Sequence, residues 1–136
     1  MMDNTANAIN TLATFCGRRD VKTLTREALK EQFGFEQADV MVLFGGSILC
    51  GGDVLARAME EGVAAHYIIS GGAGHTTGAL REQARQVCPE IWKQNPEGET
   101  EAEIFAAYLK SKTRKVPDAL ERESTNCGRS EEHTSE

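Results

Sequence analysis

The chain has no C-x-x-C pair, no apolar run long enough to cross a bilayer, and no basic stripe. Its four cysteines, Cys16, Cys50, Cys88 and Cys127, lie far apart. That scatter excludes a zinc-ribbon spacing and a dense disulfide framework, and predicts buried or half-buried thiols in a reducing compartment. No stretch approaches the roughly 20 apolar residues of a spanning helix. The first residues, M-M-D-N-T-A-N-A, lack the basic and apolar regions of a signal peptide. A cytoplasmic location follows as the expectation, with a peripheral place at the inner face of the plasma membrane as the alternative. The formal net charge of −6 argues against a nucleic-acid backbone as partner. The one basic cluster, Lys110–Lys115, reads as a helix C-terminus, where cations oppose the helix dipole. No two histidines stand at metal-ligand spacing, so no metal site is expected. Internal repeats and low-complexity tracts are also missing.

What is present fits one domain of alternating helices and strands. At 136 residues the chain can bury one modest core. Apolar residues at Ala6, Ile9, Leu12, Ala13 and Cys16 have helical spacing, with Asn4 or Thr5 as cap and Gly17 as stop. Thr25–Phe33 reads as a second, shorter helix before Gly34. Both helices precede the first strand and are expected to pack on a sheet face or edge.

Val40–Phe44 is an unbroken apolar run, the pattern of a strand buried on both faces. Gly45, Gly46 and Ser47 follow it, and Asp53 is the expected N-cap of a helix over Val54–Glu61 that Gly62 ends. A second strand is predicted at His66–Ile69 and a helix at Ala79–Val87, stopped by Pro89. Ile91 and Trp92 are expected to anchor the next connection. Thr100 and Glu103 form a capping box that opens a helix running to about Lys112. A third, short strand is expected near Val116–Leu120, with Glu121–Asn126 as the loop after it. The alternation predicts an α/β fold, a Rossmann-like three-layer arrangement with a mainly parallel sheet.

Ligands of such sheets bind beyond the carboxyl ends of the strands. Gly45–Ser47, Ser70–Thr77 and Glu121–Asn126 all follow predicted strands, which makes them one candidate rim. Gly72, Gly74 and Gly78 nearly match a dinucleotide fingerprint, but the last spacing is one residue too long. Gly46 and Gly51 have phosphate-loop spacing, yet Gly52 and Asp53 replace the lysine and hydroxyl residue that chemistry requires.

His75 is a candidate acid/base or phosphate donor, or a loop histidine bonded to nearby backbone. Ser47, Ser70 and Ser124 follow strands without the setting of a nucleophile elbow. Glu101, at a helix start, and Glu121 are the carboxylates placed to bind a ribose hydroxyl or a metal, or to act as a base. A helix-start role is sufficient by itself to explain Glu101, and a solvated loop charge is the alternative for Glu121.

Together these residues resemble the YdcF-like family of bacterial proteins, related to SanA and ElyC. The resemblance rests on V-M-V-L-F with Gly45-Gly46, Y-I-I-S with Gly71-Gly72 and Gly74-His75, Glu101-Ala102 opening a helix, and Glu121 with Ser124-Thr125-Asn126. It covers about Ala6 to Gly128. It implies a pocket built from Gly45, Gly46, Ser47, Ser70, Gly71, Gly72, Gly74, His75, Thr76, Glu101, Glu121, Ser124, Thr125 and Asn126. It also implies a nucleotide-like small-molecule ligand, with S-adenosylmethionine as candidate cofactor. The SanA and ElyC branches imply an alternative, an enzyme of cell-envelope or phosphorylated-metabolite chemistry using His75 or Glu121.

The segment between Pro117 and Glu121 is about three residues shorter than the family pattern. After Gly128 the family continues with a long helix, whereas residues 129–136 read R-S-E-E-H-T-S-E. That octapeptide resembles the translation of a sequencing adapter and is set aside from fold reasoning. The expected division is a helical segment at 1–37, the N-terminal part of a YdcF-like domain at 38–128, and a non-native tail at 129–136. An incomplete, inactive fragment is the third functional expectation.

Overall fold

The structure, a computed structural model, describes residues 4–17, 19–90, 100–114 and 121–123. The order is α1 (Asn4–Cys16), α2 (Arg26–Phe33), β1 (Ala38–Phe44), α3 (Cys50–Glu61), β2 (Ala64–Ser70), α4 (Thr77–Val87), α5 (Glu101–Lys112) and β3 (Glu121–Glu123). The strands form a parallel sheet in the order β1-β2-β3, with Val42 opposite Ile68 and Ile68 opposite Glu121. The chain is an α/β fold.

Local chemistry explains most boundaries. Thr25 caps α2 by accepting from Ala28 N, and Gly34 ends it at φ 80°. Gly62 ends α3 at φ 66°, a backbone conformation that glycine adopts without strain. The capping box at α5 is complete: Thr100 Oγ1 accepts from Glu103 N, and Glu103 Oε2 accepts from Thr100 N.

One core holds the sheet against three helices. Leu55, Ala56 and Met59 of α3, Leu80 and Ala84 of α4, and Ile104, Phe105, Tyr108 and Leu109 of α5 pack on Tyr67 and Ile69 of β2. Met41 and Leu43 of β1 join from the same sheet face. A smaller cluster of Leu29, Ala58 and Val63 ties α2 to the end of α3.

The structure departs from the sequence expectations at five places. First, α3 begins at Cys50, so Asp53 lies in its first turn and is not its N-cap. Gly51 N and Gly52 N donate to the Ile48 and Leu49 carbonyls, so the chain turns into helix directly after the β1 loop. Second, the described residues cover β1 on one face only: Val40, Val42 and Phe44 are exposed, Phe44 at 69%. An apolar run records affinity for a core, not how many layers supply it. Third, α1 buries none of its residues. Fourth, β3 lies at Glu121–Glu123, in the segment expected as a loop. Parallel pairing engages main-chain groups, so charged side chains do not forbid a strand at a sheet edge. Fifth, Cys16 and Cys50 are exposed and only Cys88 is half-buried, so a small apolar thiol does not by itself secure a place in the core. The predicted anchors Ile91 and Trp92, the Val116–Leu120 segment and Cys127 lie outside the described residues.

Tyr108 is buried at the seam of α3 and α5, and its hydroxyl donates to Asp53 Oδ1 at 2.8 Å. Burial first, and then that hydrogen bond, raise the phenol well above its ordinary pKa. The folded protein therefore holds this proton more tightly than the unfolded chain. Its contribution to stability is full below the unfolded value of about 10 and is lost as pH rises above it. Denaturation midpoints measured upward from pH 9 should fall steeply in the wild type and less steeply in Tyr108→Phe. Parallel slopes would contradict this.

Candidate functional site

The carboxyl ends of β1 and β2 meet the start of α5 at one point. Gly45 N donates to the Ser70 carbonyl, which draws the two strand-end turns together. Glu101 N donates to the Gly72 carbonyl at 2.9 Å, and Ala102 N to the Gly71 carbonyl at 3.1 Å. The first amides of α5 are thus satisfied by the β2 turn instead of facing open solvent.

Close approach explains two of the glycines. A Cβ on Gly45 would lie 2.6 Å from Glu101 Oε2 and 3.1 Å from Gly71 Cα. A Cβ on Gly71 would lie 2.9 Å from Glu101 Cβ and 3.2 Å from Gly45 Cα. Gly46 and Gly74 have nothing within 4 Å of such an atom, so packing does not explain them.

Glu101 is half-buried at the centre of this junction. Thr77 Oγ1 donates to its Oε1 at 3.3 Å and Thr76 Oγ1 at 3.5 Å, while Gly74 N donates to Thr77 Oγ1 at 2.7 Å. One hydroxyl therefore folds the glycine turn and holds the carboxylate. Glu101 Oε2, beside Gly45, accepts no hydrogen bond among the described residues. A carboxylate oxygen without a hydrogen-bond partner is a strong acceptor for a ligand hydroxyl or a cation.

The structure brings together Gly45, Ser70, Gly71, Gly72, Gly74, Thr76 and Glu101. Gly46 and Ser47 continue the β1 turn and are half-buried. His75 is exposed and makes no hydrogen bond to a described residue. Glu121 is not on a loop beyond a strand; it stands in β3 opposite Ile68, two positions before the Ser70 level. Ser124, Thr125 and Asn126 lie outside the described residues. Thr77 was expected in the rim by position alone, and its hydrogen bond to Glu101 was not foreseen. The signal was a second hydroxyl residue at the start of a helix, where threonine bonds loop backbone.

No helix among the described residues is long and apolar enough to cross a membrane, and no cluster of metal-ligating side chains occurs among them. Comparison with protein families, with curated proteins and with solved structures gives no match to this chain.

Proposed function

We propose that the chain is a cytosolic small-molecule-binding domain of Rossmann-like, YdcF-like type, whose ligand is a nucleoside carrying no phosphate chain, with S-adenosylmethionine as the specific candidate. The observation that carries this reading is the Glu101 carboxylate, held at Oε1 by Thr76 and Thr77, with Oε2 beside Gly45 accepting no hydrogen bond from the described residues. It stands beyond the carboxyl ends of parallel strands, where such folds take their ligands. A carboxylate there suits the hydroxyls of a ribose.

The residues from Gly45 to Ser47, from Gly71 to Thr77, and Glu101 include no lysine or arginine. Among the described residues of these turns a polyphosphate would meet a negative charge without a compensating lysine or arginine, and the first α5 amides already serve backbone carbonyls. S-adenosylmethionine offers a ribose diol and a sulfonium cation, both matched to a carboxylate. Chemistry on phosphorylated metabolites draws less support from the same charge pattern. Within this reading Glu101 would hold the ribose and the two glycine turns would admit it; the bound cofactor would supply an activated methyl group.

A thermal-shift series tests the ligand class. S-adenosylmethionine at about 100 times its Kd should stabilise the protein by about 2.7 kcal/mol. ATP and inorganic phosphate at equal concentration should give no rise in Tm. A rise with ATP and none with S-adenosylmethionine would contradict the assignment.

A further inference from the structure

Two apolar surfaces in the described chain have no cover. One is the far face of the sheet, where Val40, Val42 and Phe44 are exposed beside half-buried Ile68. The three helices that make the core lie on the opposite face. The other surface is α1. Its 13 residues include no charged side chain, and Ile9, Leu12 and Phe15 are exposed, Phe15 at 87%. Helical spacing puts these three on one side with Ala6, Ala13 and Cys16. Asn7, Asn10, Thr11 and Thr14 share the other side, where Thr11 and Thr14 hydroxyls donate back to the Asn7 and Asn10 carbonyls. The polar side meets its own needs, and the apolar side is left without a partner.

We infer that α1 is a strap that closes over the Val40–Val42–Phe44 face of its own sheet. Two observations and one physical argument carry this. The dimensions match: 13 helical residues span about 20 Å, and the seven residues of β1 span about 23 Å. The chain reaches: Val21 packs on the cluster of Leu29, Ala58 and Val63, five residues beyond the end of α1. β1 is the edge strand of the described sheet, so the connection need pass round only one strand. Physical necessity adds a third argument. A helix of this length is marginal in water by itself, so a stable α1 requires a packing partner. A partner tethered in the same chain has the higher effective concentration over a second copy. Closure gives the sheet helices on both faces, the arrangement in which parallel sheets persist.

Hydrogen exchange on the full chain at micromolar concentration tests the inference. The amides of α1 should be protected about tenfold or more over an unstructured peptide. Phe44→Asp and Phe15→Asp should each abolish that protection while leaving α5 amides unchanged. Val54→Asp, on the exposed side of α3, should leave α1 protected. Unprotected α1 amides in the wild type would overturn the inference, and so would protection indifferent to Phe44→Asp. Protection that appears only at concentrations where sedimentation detects a dimer would assign the face to a second copy instead.

Discussion

Phe105→Ala is expected to lower stability by about 3–5 kcal/mol, the range for removing a large aromatic side chain from a core. Phe105 is among the largest side chains that are wholly buried. It sits in the middle of α5, the helix that touches α3, α4 and the sheet, so no single neighbour can collapse into the space it leaves. Gly51 and Gly52 of α3 face it closely: a Cβ on Gly52 would lie 3.3 Å from its ring and 2.6 Å from that of Tyr108. The loss is a large part of the 5–15 kcal/mol that holds a typical domain folded. Urea denaturation should show a lower midpoint with an unchanged slope. Val54→Ala, at an exposed position of α3, should stay within about 0.5 kcal/mol of wild type. A Phe105→Ala effect as small as that would mean α5 does not pack as described.

Gly71→Ala is expected to cost about 1–3 kcal/mol through overpacking. The added methyl would meet Glu101 Cβ at 2.9 Å, Gly45 Cα at 3.2 Å and Ala102 N at 3.3 Å. These are backbone or near-backbone atoms, which cannot swing aside as the end of a long side chain can. Relief requires α5 to move away from the β2 turn, and that movement breaks the bonds from Glu101 N and Ala102 N to the Gly72 and Gly71 carbonyls. The Glu101 carboxylate then leaves its place, so the proposed ligand response should weaken along with stability. Gly74→Ala, where nothing lies within 4 Å of the new atom and φ is not positive, should be close to neutral. Equal midpoints for the two alanine variants would show that the α5–β2 junction is looser than these distances require.

The contrast between these glycines marks how far the sequence could be read. Gly34 and Gly62 were legible as helix stops because a C-terminal glycine acts locally, within one turn. The Thr100–Glu103 box was legible for the same reason. Glu101 was visible as a helix-start carboxylate and a candidate ligand contact, but the partners that hold it were not. Its contact with Thr77 spans 24 positions, and the Tyr108–Asp53 bond spans 55, so no local pattern announces either. The α/β order followed from alternating apolar runs and helical spacing. The number of layers did not: V-M-V-L-F would look the same with one covered face or two. β3 was misplaced because Glu121-Arg122-Glu123 has none of the apolar content by which strands are recognised, while its main chain pairs with β2 all the same.

Isothermal titration calorimetry of S-adenosylmethionine into the wild type and Glu101→Gln tests the central claim most directly. Glutamine keeps the length and planar shape of the side chain, so the junction with Gly45 and Gly71 is retained while the charge is removed. A hydrogen bond to a charged group contributes about 1.5–3 kcal/mol, so Kd should rise about 10- to 200-fold in the variant. Binding of equal strength in both proteins, or heat of binding in neither, would contradict the assignment of Glu101 as the ligand-holding carboxylate.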